Sequence, residues 1–169
     1  MSPSPAEPVL RECRDVDEPD LWDLLRPVYR AGETYAVARD VGEHEAVAAW
    51  RAHQRVRVAQ APAPGARVIG SYYLGPNLPG PGSHVANAGF VVADAARGTG
   101  LGRRMAEEAL TLARELGFTA MQFNCVVSTN PAVGLWRSLG FDVVGRVPGA
   151  YDHAVHGPVD ALVMHRLLT

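Results

Sequence analysis

Apolar residues recur at helical spacing in several segments of the chain. The first segment runs from Leu21 to Val28, where apolar residues are three or four positions apart and follow acidic and proline residues at 17–19. This spacing, with that start, predicts a helix over residues 17–31. Similar stripes predict helices over residues 43–53, from Gly102 to Gly117, and over 130–139.

Alternation of polar and apolar residues indicates the strands. Residues 55–58 read Arg, Val, Arg, Val, which is the two-residue period of a strand with one wet face. Further strands are predicted at residues 9–14, 67–74, 84–93, 119–127, 141–147 and 159–168. The order β–α–α–β–β–β–α–β–α–β–β predicts one α/β (α+β) domain with a mixed sheet over residues 9–169. Residues 1–8 hold three prolines and are predicted to be a disordered tail.

Charge and composition narrow the range of partners. The 169 residues include 16 basic side chains, all of them arginine, and 18 acidic ones, for a net charge of −2. Binders of nucleic acid or anionic membranes usually carry a basic excess, so we expect neither partner. The chain has no apolar run of about 18 residues and no secretion signal, so a cytoplasmic location is expected.

The cysteines and histidines lack the spacing of a metal site. Cys13 and Cys125 are far apart and belong to no CxxC pair. His84, His153 and His156 share no ligand spacing. We therefore predict no bound metal and two reduced thiols.

A glycine-rich loop between a predicted strand and a predicted helix carries the most chemical information. It reads Arg97-Gly98-Thr99-Gly100-Leu101-Gly102-Arg103. Glycines let backbone N–H groups face a ligand, and a helix N-terminus attracts phosphate oxygens. The absence of lysine excludes a Walker A loop, and the third glycine of a GxGxxG fingerprint would fall on Arg103. The loop therefore predicts a phosphate site of another type, flanked by two arginines.

Two segments resemble motifs of the GNAT acetyltransferases. Arg-Gly-x-Gly-x-Gly, from Arg97 to Gly102, resembles motif A of that family, and residues 130–141 resemble motif B, an Asn-initiated helix that ends in Leu-Gly-Phe. The resemblance implies the GNAT fold, a mixed, mostly antiparallel sheet of six to seven strands with helices on both faces and a splay between strands 4 and 5. It also implies acetyl-CoA as co-substrate. Asn130 is equally a natural helix N-cap.

The resemblance also implies where the cofactor binds. Backbone groups of Phe90 and Val92 would bind the pantetheine arm, and the N–H of Phe90 or Val91 would polarise the acetyl carbonyl. The expected cofactor contacts are Phe90, Val91, Val92, Arg97, Gly98, Thr99, Gly100, Leu101, Gly102, Arg103, Asn130 and Trp136.

One position departs from the family pattern. Many members carry a tyrosine that protonates the departing thiolate where this chain has Trp136, whose indole is not a usable acid. Tyr35, Tyr72 and Tyr73 are candidate substitutes, and so are water and an unprotonated thiolate.

The acceptor side is predicted from two asparagines and one carboxylate. Asn87 and Asn124 stand on strands where apolar residues are expected, in strings that resemble those of fungal proline-analogue N-acetyltransferases. There such asparagines hold the substrate carboxylate, but a satisfied core amide is an equal alternative. Glu33 is the candidate base, with Tyr35 beside it as a further catalytic and substrate contact, although a loop carboxylate is more often only solvated. Cys125 is interpreted as a wall residue.

The predicted function is direct, acetyl-CoA-dependent acetylation of a primary or secondary amine of a small, amino-acid-like molecule. A non-catalytic acetyl-CoA sensor and a protein N-acetyltransferase are the alternatives. A homodimer through the C-terminal strands, around residues 161–164, is compatible with the sequence.

Overall fold

A computed structural model describes residues 7–63 and 65–168, and these form a seven-stranded sheet with four α-helices. The strands are β1 Val9–Glu12, β2 Arg55–Gln60, β3 Val68–Pro76, β4 Val85–Val92, β5 Ala120–Val127, β6 Asp142–His153 and β7 Gly157–Leu167. The helices are α1 Glu18–Ala31, α2 Glu43–Arg51, α3 Leu101–Glu115 and α4 Ala132–Ser138. The predicted order of elements is confirmed. The predicted tail falls mainly on residues 1–6, which lie outside the described part of the chain.

The strands lie in the order β1-β2-β3-β4-β5-β7-β6. All recorded strand pairs are antiparallel except β4 and β5, which are parallel and pair only at Val85↔Ala120 and Ala86↔Met121. Beyond these two pairs the strands separate. The predicted mixed sheet with a splay between strands 4 and 5 is therefore confirmed.

Helices cover both faces of the sheet. On one face α3 buries Met105, Ala109 and Ala113 completely in a core shared with α4. On the other face α1 and α2 bury Leu21 and Trp50 in a second core. Burying a large apolar side chain contributes about 1.5–3 kcal/mol, so the two cores hold the sheet rigidly between them.

The strand β6 is longer than the predicted segment 141–147 because Pro148 and Gly149 do not end it. The register shifts between Val147 and Tyr151, so these residues form an irregularity inside the strand. Asp160 accepts the N–H of Gly149 at 3.0 Å and stabilises this segment. The extended hairpin of β6 and β7 brings its tip to the loop between α1 and α2.

The helix α4 begins later than the predicted residue 130. The residue before it is Pro131, and Asn130 lies one position earlier. Asn130 Oδ1 still accepts the N–H of Ala132, the first helical residue, at 2.9 Å. Asn130 is therefore not the N-cap itself, but its side chain satisfies one free N–H at the helix start.

Candidate active site

A cleft of ≈ 820 Å³ opens where β4 and β5 separate. The α1–α2 loop, residues 32–42, borders one end, and the starts of α3 and α4 border the other. The predicted residues that line it are Glu33, Tyr35, Asn87, Phe90, Val91, Val92, Arg97, Gly102, Asn124, Asn130 and Trp136. The fold thus collects into one cleft most of the residues that the sequence singles out.

The glycine loop adopts a conformation that few other residues tolerate. Gly98 has φ 75° and Gly100 has φ 87°, both in the left-handed region. A Cβ atom at either position would meet no other atom of the described chain within 4 Å, so the space beside the loop is open. The Thr99 hydroxyl donates to the carbonyl oxygen of Ala96 at 2.7 Å and fixes the turn. An anion can therefore approach this backbone closely.

The first turn of α3 supplies donors for such an anion. The first recorded helical hydrogen bond joins Arg104 N to Gly100 O at 3.1 Å, so the N–H groups of residues 101–103 precede the helical ladder. Leu101 contributes only its backbone, because its side chain is buried in the core. The geometry fits a diphosphate at a helix N-terminus.

The two arginines that flank the loop have different surroundings. Arg97 is exposed and pairs with Asp94 at 3.0 Å beside the cleft. Arg103 donates to the Ser138 hydroxyl at 2.7 Å and lies 3.6 Å from Glu107, so it joins α3 to α4. Exposed ion pairs are weak, which leaves Arg97 able to exchange Asp94 for a ligand.

Only one of the two predicted carbonyl-polarising amides faces the cleft. Ala93 N donates to Ile69 O at 2.9 Å, and hydrogen-bonded pairs alternate along an antiparallel ladder. Val91, opposite Ser71, therefore directs its N–H to β3. Val91 as the N–H donor is wrong for this reason, and Phe90 is the residue whose backbone groups face the gap.

The hydroxyl of Tyr35 covers both backbone groups of Phe90. It accepts the Phe90 N–H at 2.8 Å and donates to the Phe90 carbonyl oxygen at 2.9 Å. Burial, with smaller contributions from Tyr73 and Tyr29, raises the pKa of Tyr35 well above its ordinary value. Tyr35 is therefore neutral at physiological pH and serves as a hydrogen-bonding group, not as a base.

Tyr151 on β6, which sequence reasoning missed, holds the α1–α2 loop that borders the cleft. Its hydroxyl donates to the backbone carbonyl of Tyr35 at 3.0 Å. Burial raises its pKa, and the charges of Cys125 and Glu33 raise it further. Burial also raises the pKa of the Cys125 thiol, which therefore remains protonated, as expected of a wall residue. The side chain of Glu33 is exposed at the mouth of the cleft.

The two predicted asparagines belong to a chain of amide contacts. Asn87 Nδ2 donates to the backbone carbonyl of Gln122 at 2.9 Å. Asn124 Nδ2 donates to Asn77 Oδ1 at 2.6 Å, and its own Oδ1 accepts from Gln122 Nε2 at 2.9 Å. The buried-amide interpretation is wrong for Asn124, because this side chain is exposed and lies on the same face of β5 as Gln122. Asn77 and Gln122 are contacts that sequence reasoning missed.

Aromatic rings form the floor of the cleft. Trp136 is 8% exposed, with its ring 5.1 Å from Phe90 and 4.7 Å from Phe123. Of the candidate acids, Tyr72 is excluded because its hydroxyl donates to Glu108 on α3 at 2.9 Å, away from the cleft. Trp136 therefore provides apolar surface to the cleft, and no strong acid.

The chain matches the model of the acetyltransferase (GNAT) family over residues 13–141. This match includes the glycine loop, the parting strands and α4. The chain belongs to the GNAT family. The matched range also contains the first turn of α3, the edge of β4 that faces the gap and the α1–α2 loop.

Several GNAT proteins are similar to this chain. N-acetyltransferase aca1 of Schizosaccharomyces pombe is 38% identical over 98 residues, and the match covers 57% of this chain and 47% of aca1, about half of that relative. A GCN5-related N-acetyltransferase from Kribbella flavida has 43% identity and a TM-score of 0.90, with 97% of this chain and 99% of that one covered. A phosphinothricin acetyltransferase from Sinorhizobium meliloti in complex with AcCoA has 21% identity and a TM-score of 0.82, with 96% and 89% covered.

Neither a group of metal ligands nor a membrane-spanning helix is found among the described residues. Within residues 7–63 and 65–168, His, Cys, Asp and Glu side chains form no group of three or more suited to a metal ion. None of the helices there combines the length and apolarity that a membrane crossing requires.

Proposed function

We propose that this protein is an acetyl-CoA-dependent N-acetyltransferase that transfers acetyl directly to a primary or secondary amine of a small, amino-acid-like molecule. The observation that carries the proposal is one cleft with free N–H groups at the start of α3 and a backbone edge of β4 that has no strand partner beyond Ala86. The first feature suits a diphosphate and the second suits an extended chain with amide groups. Acetyl-CoA carries both, and the Sinorhizobium relative is an acetyltransferase in complex with AcCoA.

Each end of the cleft has a separate task in the proposed reaction. The N–H groups of residues 98–103 bind the pyrophosphate, and Arg97 adds positive charge. The Phe90 N–H, once Tyr35 releases it, donates to the acetyl carbonyl oxygen, and one such donor stabilises an oxyanion by about 3–4 kcal/mol. No proton donor is required for the leaving group, because a thiol pKa of about 8.5 makes the thiolate a fair leaving group at neutral pH.

The acceptor end favours a free amine. Glu33 attracts a cationic amine and, acting through water, removes the proton that the amine must lose before it attacks. The second N–H of Asn124, beyond the one given to Asn77, is a donor for an acceptor carboxylate. A cytoplasmic location and a homodimer remain expectations from the sequence. The apolar run that suggested the dimer does not offer a free surface, because Ala161, Leu162 and Met164 are buried in β7, between β5 and β6.

The experiment that tests the cofactor assignment is calorimetry with coenzyme A. Wild type is expected to bind it, and Gly100→Glu is expected to bind at least about tenfold more weakly, because a carboxylate would fill the phosphate site. Gly117→Glu is the control, since Gly117 has φ 86° at the other end of α3 and the same open surroundings. No heat with wild type, or equal binding by Gly100→Glu, would contradict the proposal.

A non-catalytic acetyl-CoA sensor is the second candidate function. The observation that favours it is the contact of Tyr35 with Phe90, which covers the very N–H that catalysis requires. Release of free thiol from acetyl-CoA with a panel of small amines separates the two functions. An enzyme releases thiol with some amine of the panel, whereas a sensor binds acetyl-CoA without release. Acetylation of lysate proteins without any small-amine turnover would instead indicate a protein acetyltransferase.

A further inference from the structure

The carbonyl of Gln122 has an unusual partner at the point where β4 and β5 part. In a parallel ladder that continued past Ala86↔Met121, this carbonyl would accept the backbone N–H of Ala88. It accepts the side-chain Nδ2 of Asn87 instead, at 2.9 Å. The side chain of one strand thus takes the acceptor that the next backbone bond would need.

We propose that Asn87 is the positioning residue that sets where β4 and β5 separate, and so how deep the gap between them reaches. By occupying Gln122 O, the amide stops the ladder at Ala86 and leaves the next backbone group of β4, on Ala88, directed into the gap. The inference rests on the proposed function in one respect, because the gap is taken to receive the pantetheine arm. It assigns Asn87 to the strand opening and not to the acceptor carboxylate.

The surroundings of Asn87 support this role. Asn87 lies opposite Gly75 of β3, so it has the antiparallel β3–β4 ladder on one side and the gap toward β5 on the other. Because hydrogen-bonding directions alternate along β4, the backbone N–H and carbonyl groups of Ala88 and Phe90 are directed into the gap, and Ala88 is buried. Without a competing donor, an unpaired carbonyl on β5 and an unpaired N–H on β4 would gain a hydrogen bond by closing.

Asn87→Leu tests the proposal, because leucine has a similar size and donates no hydrogen bond. We expect Gln122 O to take the Ala88 N–H in this variant, so that the ladder extends and the gap becomes shorter. Hydrogen exchange at the Ala88 amide is expected to slow by about tenfold, and coenzyme A is expected to bind about tenfold more weakly. Asn87→Ser keeps a shorter donor and is expected to give intermediate values for both.

Gln60→Met is the matched control. Gln60 Nε2 also donates to a backbone carbonyl, that of Ala66 at 2.8 Å, but at the far end of β2. Loss of this amide is expected to leave the Ala88 exchange rate and coenzyme A affinity within about twofold of wild type.

Two results would overturn the proposal. The first is an Asn87→Leu variant whose Ala88 exchange rate and coenzyme A affinity equal those of wild type but whose KM for the acceptor is raised. That result would make Asn87 an acceptor ligand. The second is no change in any of these quantities. If wild type itself binds no coenzyme A, the proposed function fails, but slower Ala88 exchange in the ligand-free variant still supports the role of Asn87 in parting the strands.

Discussion

Removal of one hydroxyl group from the α1–α2 loop should make coenzyme A bind more tightly. Tyr35 holds both the N–H and the carbonyl of Phe90, at 2.8 and 2.9 Å. If the pantetheine arm uses the same two groups, cofactor binding has to break both contacts first. Tyr35→Phe removes that requirement and keeps the aromatic ring, whose packing against Tyr29 and Trp50 is apolar.

The magnitude follows from two hydrogen bonds. Each contributes about 0.5–1.5 kcal/mol net, so Tyr35→Phe should destabilise the free protein by about 1–3 kcal/mol. For a chain of this size that lowers the melting temperature by roughly 2–4 °C per kcal/mol. The same free energy reappears as tighter binding of coenzyme A, by about 5-fold to 150-fold. Tyr35→Phe should thus be less stable alone and recover more on adding coenzyme A.

Calorimetry and thermal unfolding of Tyr35→Phe and Tyr72→Phe would decide the matter. Tyr72→Phe is the control, because it also removes a hydroxyl contact, the one with Glu108 on α3, which lies outside the cleft. We expect Tyr72→Phe to lose stability and to bind coenzyme A as wild type does. Equal or weaker binding of coenzyme A by Tyr35→Phe would refute the reasoning, because the hydroxyl would then not compete with the cofactor.

Two further predictions concern the scaffold. A Cβ atom on Gly89 would clash with the Tyr73 ring. Gly89→Ala should therefore lower the free energy of unfolding, measured in urea, by about 1–3 kcal/mol. Gly134→Ala is the control, because Gly134 lies in open space on α4 and its replacement should not lower the free energy of unfolding. Arg11 lowers the pKa of the buried Asp17 below its ordinary 3.8 through two hydrogen bonds at 2.7 and 2.8 Å. The ion pair of Asp17 with Arg11 therefore contributes its full stabilisation above about pH 4, and this contribution is lost as the pH falls through the lower pKa of the folded state. In Asp17→Asn the free energy of unfolding should fall less steeply with decreasing pH than in wild type. If the free energy of unfolding of Asp17→Asn fell with decreasing pH as steeply as that of wild type, the second prediction would be contradicted.

The order of helices and strands could be predicted because its signals are local, whereas the splay between strands 4 and 5 was predicted from the resemblance to the GNAT acetyltransferases. Helix stripes, strand alternation and the Arg97–Gly102 loop each depend on residues close together in the chain. The strand β6 was underestimated because Pro148 and Gly149 are turn residues in most contexts. Here the long-range bond from Gly149 N to Asp160 keeps them within a strand, and no local pattern encodes that bond.

The site was predictable where it is made of backbone and less so where it is made of side chains. The glycines of the loop could be recognised from the sequence, because a backbone with positive φ angles favours glycine. Tyr151 and Gln122 could not be found in this way, since their roles arise from contacts with Tyr35 and Asn87 that lie far away in sequence. The exposure of Asn124 was also hidden, because Asn124 follows the point where β5 parts from β4, and strand alternation does not predict where two strands separate.

The contacts above the cleft tie the acceptor end to the cofactor end through a single loop. Tyr151 on β6 holds the backbone of Tyr35, and the side chain of Tyr35 holds Phe90 on β4. Glu33, the candidate base, is two residues from Tyr35 on the same loop. If acetyl-CoA displaces the Tyr35 side chain, the loop is released from β4 but stays attached to β6. Glu33 lies between Gly32, whose carbonyl accepts the N–H of Ala154 at 3.1 Å, and Tyr35, so these two contacts would keep the candidate base at the mouth of the cleft when the acetyl donor displaces the Tyr35 side chain.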